Sequence, residues 1–273
     1  LLLFLFAMIV SGIFGVDPLN SFLGNSLRKT GVVLYLHMGL FSIYVSSLFL
    51  LSKQLGQRLL KITVFLGTLA GLHGILEFTR TIPSFYGTGR TAGLFGNPIF
   101  FASFLIIPLF LAIHFALKTK SKTSLAYYLS AAFMFLGIVS TGTRGALVGV
   151  IAGLLTWLGI TVITKTKNKK QILAIGIASI VGLILLFSIA KTILPNDTFL
   201  NRLTQFSSTS ASSRINYWQI GLVGWKDAPI LGVGTENFYV IADKYFTDDL
   251  YKFAETWPDK PHNQLIEFLD TLG

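Results

Sequence analysis

The stretch LFGNPIFFASFLIIPLFLAIHFAL, residues 94–117, contains no charged side chain. A helix crosses the hydrocarbon core with about 20 apolar residues, so this run is long enough to span a membrane. The same reading marks Leu1–Val16, Val32–Leu51, Ile62–Phe78, Leu125–Ser140, Ala146–Ile163 and Gln171–Ala190 as further spans, and Leu265 onward as the start of another. With 52% hydrophobic residues, 12% charged residues and a mean hydropathy of +0.67, the chain lies far from the soluble average. The fold expected is an all-α polytopic transmembrane helix bundle. Its first run lacks the basic leader of a signal peptide, and its last stops after Gly273. Both features suggest a piece of a longer protein.

The distribution of charge decides the orientation. Three short connections carry Lys53, Arg58 and Lys61, then Lys118, Lys120 and Lys122, then Lys165, Lys167, Lys169 and Lys170, with no acidic neighbours. These ten residues equal the whole net charge of +10, and they fall on every second connection. That is the pattern of cytoplasmic loops in a membrane protein, and it argues against nucleic acid as the partner of a basic chain. Residues 1–190 then form the transmembrane bundle, 191–263 a large loop outside the cytoplasm, and 264–273 the start of a further span. The large loop is nearly balanced, with seven basic and eight acidic residues, as a translocated segment should be. There are no cysteines, so disulfides and thiolate metal sites are excluded.

On the outer face three arginines recur beside small polar residues. Arg90 lies in Gly87-Thr88-Gly89-Arg90-Thr91-Ala92-Gly93, and Arg144 in Thr141-Gly142-Thr143-Arg144-Gly145-Ala146, each just before a span. Arg214 follows Ser212-Ser213 and opens a stretch in which Ile215, Trp218, Leu222 and Trp225 repeat with helical spacing. Free backbone N–H groups gather at helix N-termini, which bind anions, and arginine adds bidentate recognition of phosphate oxygens. Each arginine alone fits equally well with snorkelling to lipid phosphates or pairing with a carboxylate. Together the three suit a diphosphate at headgroup level.

His262, in Pro261-His262-Asn263, is the only histidine outside an apolar run. An imidazole titrating near neutrality can take a proton from a hydroxyl; a solvated loop histidine is the plainer reading. His73 and Glu77, four residues apart in a span, suit either a functional intramembrane pair or a packing pair. Beyond Gly232-Val233-Gly234 a second amphipathic stretch runs through Phe238, Ile241 and Tyr245. That Gly-x-Gly lacks the third glycine and the βαβ context of a dinucleotide site. Trp218, Trp225, Tyr239, Tyr245, Tyr251 and Trp257 suit a membrane-interface belt or stacking on sugar rings. Asn196-Asp197-Thr198 fits a glycosylation sequon.

Several of these pieces, in order, resemble the O-antigen ligase and polymerase family of bacterial envelope polysaccharide enzymes. They are Asn25-Ser26-Leu27-Arg28-Lys29-Thr30-Gly31, Gly89-Arg90-Thr91-Ala92-Gly93 with Gly96-Asn97-Pro98, and Thr141-Gly142-Thr143-Arg144-Gly145-Ala146. Ser213-Arg214 with Trp218, Pro229 with Gly232-Val233-Gly234, and His262-Asn263 with Glu267 follow. The resemblance implies a GT-C-like, metal-independent glycosyltransferase of the cytoplasmic (inner) membrane, with no cofactor. It would move a glycan from undecaprenyl diphosphate to a free hydroxyl on a glycan, lipid or protein acceptor. By the same resemblance Arg90, Arg144 and Arg214 bind the diphosphate, Arg144 and Arg214 help the leaving group depart, and His262 serves the acceptor, with inversion at the sugar carbon. The competing class is a transporter or flippase for a lipid-linked or anionic solute, with His73 and Glu77 as its proton site. Against it, the arginines lie at one surface, whereas transport sites lie near the midplane, often in paired repeats.

Overall fold

The computed structural model describes residues 1–26, 28–84, 90–164, 177, 208–247 and 258–273. Among them the regular structure is entirely helical: α1 (Leu2–Phe14), α2 (Pro18–Leu23), α3 (Val32–Leu51), α4 (Lys53–Phe78), α5 (Pro98–Lys118), α6 (Thr123–Ser140), α7 (Arg144–Thr164), α8 (Ser208–Gly224), α9 (Phe238–Tyr245) and α10 (Gln264–Leu272), with single 3₁₀ turns at Gly93–Phe95 and Trp225–Asp227. Five of these helices, α3 to α7, are long and apolar enough to cross a membrane. Their surfaces carry Leu40, Phe41, Leu50 and Phe65, each more than 60% exposed. Apolar area on that scale is a liability in water and is the expected surface of a chain whose solvent is lipid.

The chain divides into two compact units, one formed by Leu1–Lys53 with Phe206–Gly273 and the other by Gln54–Gln205. In the second unit α5 packs on α6 around Phe101, Leu105, Met134 and Ile138, all fully buried. Helices associate in lipid through close backbone approach at small residues. A Cβ added at Gly71 of α4 would lie 2.8 Å from the Phe133 carbonyl oxygen, and one at Gly137 of α6 would lie 3.0 Å from Gly71 Cα. The two glycines therefore set how closely α4 and α6 cross.

In the first unit α1 touches α2, α3 and α10, while α8 packs on α9 and α10. Its smaller core holds Ile220, Val233, Phe238, Ile241 and Ala242. Asn237, fully buried, donates from Nδ2 to the Val233 carbonyl at 2.9 Å and to Ser21 Oγ at 3.0 Å, and accepts from Asn20 Nδ2 at 2.9 Å. The Val16 N–H donates to the Val233 carbonyl at 2.9 Å, and Ser11 Oγ donates to the Thr271 carbonyl. The two ends of the chain are thus joined into one body.

Boundaries differ from the expected ones for local reasons. Lys53, Arg58 and Lys61 do not form a loop: they lie in the first turns of α4, which begins directly after an extended Ser52. Long basic side chains reach interfacial water from a helix that starts below it. Residues 94–97 do not begin α5. Gly93–Phe95 makes a 3₁₀ turn, Gly96 takes φ +69°, and Asn97 caps α5 by accepting the Ile99 N–H at 2.8 Å, with Pro98 in the first turn. The first run gives a 13-residue α1, shorter than a span. The expected span Gln171–Ala190, the basic connection at 165–170 and the sequon at 196–198 lie outside the described residues.

Candidate active site

The described site residues fall into two groups, one in each unit. In the second unit Arg90 is committed to a turn. Its Nε donates to the Thr141 carbonyl and its Nη2 to Thr143 Oγ1, both at 2.9 Å. Gly142 at φ +62° lets the chain reverse there, and the buried Thr141 hydroxyl accepts the Thr143 N–H at 3.1 Å. Arg144, the first residue of α7, follows directly. The structure brings the two expected arginine segments of this unit together: Arg90 braces the turn that presents Arg144 at a helix N-terminus, where free N–H groups favour an anion.

The segment leading from Arg90 is fixed by Glu77, which the sequence paired with His73. That pair does not form. Glu77, near the end of α4, accepts the backbone N–H groups of Ala92 at 3.3 Å and Gly93 at 2.8 Å, and the buried His73 Nδ1 has no hydrogen-bond partner. A carboxylate gains more from two otherwise unsatisfied backbone donors than from an imidazole one turn away.

In the first unit Arg214 does not open its helix. α8 starts at Ser208, so Arg214 lies two turns in, exposed, with no side-chain hydrogen bond or ion pair among the described residues. The expected apolar stripe is also out of phase. Ile215 and Leu222 are about half exposed, whereas the face turned inward is Ser213, Tyr217, Ile220, Gly221 and Gly224. A Cβ at Gly221 would meet Ile266 Cγ2 at 2.5 Å and Asp270 Oδ2 at 2.6 Å, and one at Gly224 would collide with Ile241. Small residues let α9 and α10 close on α8, while Ile215 and Leu222 stay on its exposed side.

His262 stands beside this helix, its ring 6.0 Å from the Tyr217 ring. Its backbone is left-handed at φ +53°, a conformation costing a non-glycine residue roughly 1–3 kcal/mol and kept only where neighbours impose it. The neighbours on both sides do so. Asn263 caps α10, its side chain accepting from the Leu265 N–H at 3.0 Å. Lys260 is ion-paired with Glu236 and, at 2.8 Å, with Glu267. Glu236, itself left-handed at φ +65°, also accepts from Thr30 Oγ1 at 2.6 Å and Asn25 Nδ2 at 3.2 Å. Asp259 pairs with Arg28 at 2.8 Å. Burial opposes the Lys260 charge, but the hydrogen bonds to Glu236 and Glu267 outweigh it and push its pKa up. Removing one member of such a buried group leaves an uncompensated charge, a change costing about 3–5 kcal/mol.

The His262 pKa is pushed below its ordinary value. Loss of water around the ring is the main cause; Arg28 and Arg214 lower it further, while Asp259 and Glu267 oppose them. The imidazole is therefore held neutral, with a nitrogen lone pair ready to accept a proton. Lys260, Glu236 and the loop residues Asn25 and Thr30 gave no local signal in the sequence, because their partners are distant along the chain. Only charge in an otherwise apolar protein marked Lys260 and Glu236, and only the resemblance of the segment Asn25 to Gly31 marked Asn25 and Thr30.

The family model described as O-Antigen ligase matches residues 129–273, more than half of the chain. The chain belongs to that family. The match includes α7 with Arg144, α8 with Arg214, and the His262 segment. No curated protein and no solved structure matches the chain. Together with five apolar helices long enough to span, family membership identifies a multi-pass membrane enzyme of the O-antigen ligase and polymerase type, which works on a lipid-linked glycan and an acceptor in the membrane. The expected all-α membrane bundle is the one found.

Proposed function

We propose that this O-antigen ligase family member transfers a glycan from undecaprenyl diphosphate to an acceptor hydroxyl on the outer side of the cytoplasmic membrane. The observation that carries the reading is His262, held in a left-handed backbone beside Tyr217, where loss of water and the nearby Arg28 and Arg214 push its pKa down. In the proposed step His262 takes the acceptor O–H proton as that oxygen attacks the anomeric carbon. The bond from that carbon to the diphosphate breaks, and the electron pair leaves with the lipid diphosphate. Attack opposite the leaving group inverts the sugar carbon. Arg144 and Arg214 hold the diphosphate and offset the charge that develops on it. Arg90 binds beside Arg144 while bracing its turn. The arginines supply the positive charge that a metal would otherwise bring, so the proposed step uses neither metal nor cofactor. The basic residues on alternate connections support an outward-facing large loop.

The transporter reading needed His73 and Glu77 as a proton site, and Glu77 is instead bound to backbone N–H groups. The test is glycan transfer in membranes supplied with a labelled polyprenyl-diphosphate glycan, comparing wild type with His262→Ala, Arg144→Ala and Arg214→Ala. Loss of transfer in all three with normal membrane insertion supports the proposal. Wild-type transfer in the His262 variant sinks the base assignment, and normal activity in both arginine variants sinks the diphosphate clamp.

A further inference from the structure

The network around Lys260 is larger than a single ion pair and has one geometric consequence. Lys260 lies two residues before His262, and the intervening Pro261 is buried. Its ammonium bridges Glu236, which follows the Gly232-Val233-Gly234 turn, and Glu267, in the first turn of α10. Thr30, from the connection between α2 and α3, donates to Glu236 and accepts from Lys260 Nζ at 3.3 Å. Three segments far apart in sequence thus converge on one ammonium. All three side chains of the triad are at least 87% covered, since exposure is 13% for Lys260, 1% for Glu236 and 10% for Glu267. On the other flank Asn263 is fixed as the cap of α10. Of the two residues between these anchors, Pro261 is buried and His262 keeps part of its surface exposed.

We propose that Lys260 is a positioning residue for His262: held between Glu236 and Glu267, it fixes the left-handed backbone that sets the imidazole beside Tyr217. This rests on the reading of His262 as the base. Lys260 touches no reacting atom in that scheme and acts through the chain. The ring also faces Arg28 and Asp259 from the outer connection and its own segment, Arg214 from α8 and Glu267 from α10, so its titration reports where it sits among those charges. Displacing a catalytic group by about 1 Å costs on the order of 100-fold in rate.

The experiment uses the full-length protein in nanodiscs, with histidine ring labels followed by NMR against pH and transfer kinetics measured in parallel. The His262 resonance is assigned from its disappearance in His262→Gln. Lys260→Met leaves two buried carboxylates unpaired, so it is paired with Lys260→Met/Glu236→Gln, which removes one of them. Lys260→Arg is the conservative rescue. The expected result for the double variant, melting as wild type does, has three parts. The His262 pKa rises towards its ordinary value as the ring leaves Tyr217 and gains water; kcat falls on the order of 100-fold; and KM for the donor holds. Lys260→Arg keeps both titration and rate near wild type.

Unchanged titration and rate in a double variant that melts like wild type overturns the proposal, as does a loss lying wholly in donor KM. A shifted titration alongside a wild-type protein that transfers nothing supports the positioning role and instead refutes the transferase reading. If neither lysine-to-methionine variant folds, Thr30→Val decides the matter. It removes one hydrogen bond to Glu236 without altering charge, and should shift the titration the same way by less; no shift overturns the proposal.

Discussion

The bond between Arg90 and Thr143 offers the sharpest energetic test of how the Arg144 turn is built. Arg90 Nη2 donates to Thr143 Oγ1 at 2.9 Å, and Nε donates to the Thr141 carbonyl at 2.9 Å. A hydrogen bond to a charged group contributes about 1.5–3 kcal/mol. Arg90 is partly exposed, and water replaces some of what is lost, which places the Arg90–Thr143 bond at or just below the bottom of that range, about 1–1.5 kcal/mol. Thr143→Val keeps the shape and removes this bond together with the long donation from Thr143 Oγ1 to the Pro98 carbonyl at 3.4 Å, which the cycle cancels. Arg90→Met keeps much of the aliphatic stem and removes both bonds, so it should cost at least about twice as much. In a double-mutant cycle the second change should then cost less than it does alone, by about 1–1.5 kcal/mol, well outside the roughly 0.3–0.5 kcal/mol within which independent sites add. The assay is reversible unfolding in mixed micelles without substrate, so the result does not depend on the reaction assigned to the protein. Additive effects would refute the brace.

Three further outcomes follow from the geometry. Glu77→Gln should destabilise the protein by about 1–3 kcal/mol by weakening the acceptor for Ala92 and Gly93, whereas His73→Leu should change stability little; equal losses in the same unfolding assay would restore the His73–Glu77 pair. Gly71→Ala should cost about 1–3 kcal/mol by forcing α4 from α6, since the added methyl meets the Phe133 backbone at 2.8–2.9 Å, and a neutral result would show that the crossing adjusts freely. The acid limb of kcat/KM should lie below pH 6.5, because a depressed His262 pKa keeps the base unprotonated at lower pH. Arg28→Met should move that limb upward, because it removes a cation that disfavours the imidazolium and frees Asp259, which favours it; a downward move would contradict the charge arrangement.

The membrane bundle was legible because its signal is summed over about 20 residues per span and survives errors at either end. The ends were not. Ser52 and Asn97 decide where α4 and α5 begin, and each does so through one backbone conformation or one capping bond. The phase of α8 was misread for a deeper reason. The helical spacing of Ile215, Trp218, Leu222 and Trp225 marks an apolar stripe by side-chain type alone and does not say which face packs on α9 and α10. The close contacts of α8 go instead to small residues, because a side chain at Gly221 would meet Ile266 and Asp270 and one at Gly224 would collide with Ile241. The same limit explains His73 and Glu77: their spacing suits an i,i+4 pair, but a backbone segment about 15 residues on supplies better donors.

The charged residues divide by whether their hydrogen-bonding capacity is already spent, a property that no motif encodes. Lys260 is closed on two carboxylates, and Arg90 has two of its donors on a turn, so their charges serve to hold other residues in place. Arg214 is exposed and makes no side-chain hydrogen bond or ion pair among the described residues, yet its field reaches His262. A group that is to bind an incoming anion gains most if it need not first break a protein contact, since a broken contact subtracts from the binding free energy. Under the proposed transfer, that ground ranks Arg214 ahead of Arg90 as the direct diphosphate ligand. Arg214→Lys would then raise donor KM, because an ammonium gives a point contact where a guanidinium grips two oxygens. Arg90→Lys would act chiefly through the Thr141–Thr143 turn and lower stability. The reverse pattern, with stability lost at Arg214 and donor KM raised at Arg90, would invert the assignment.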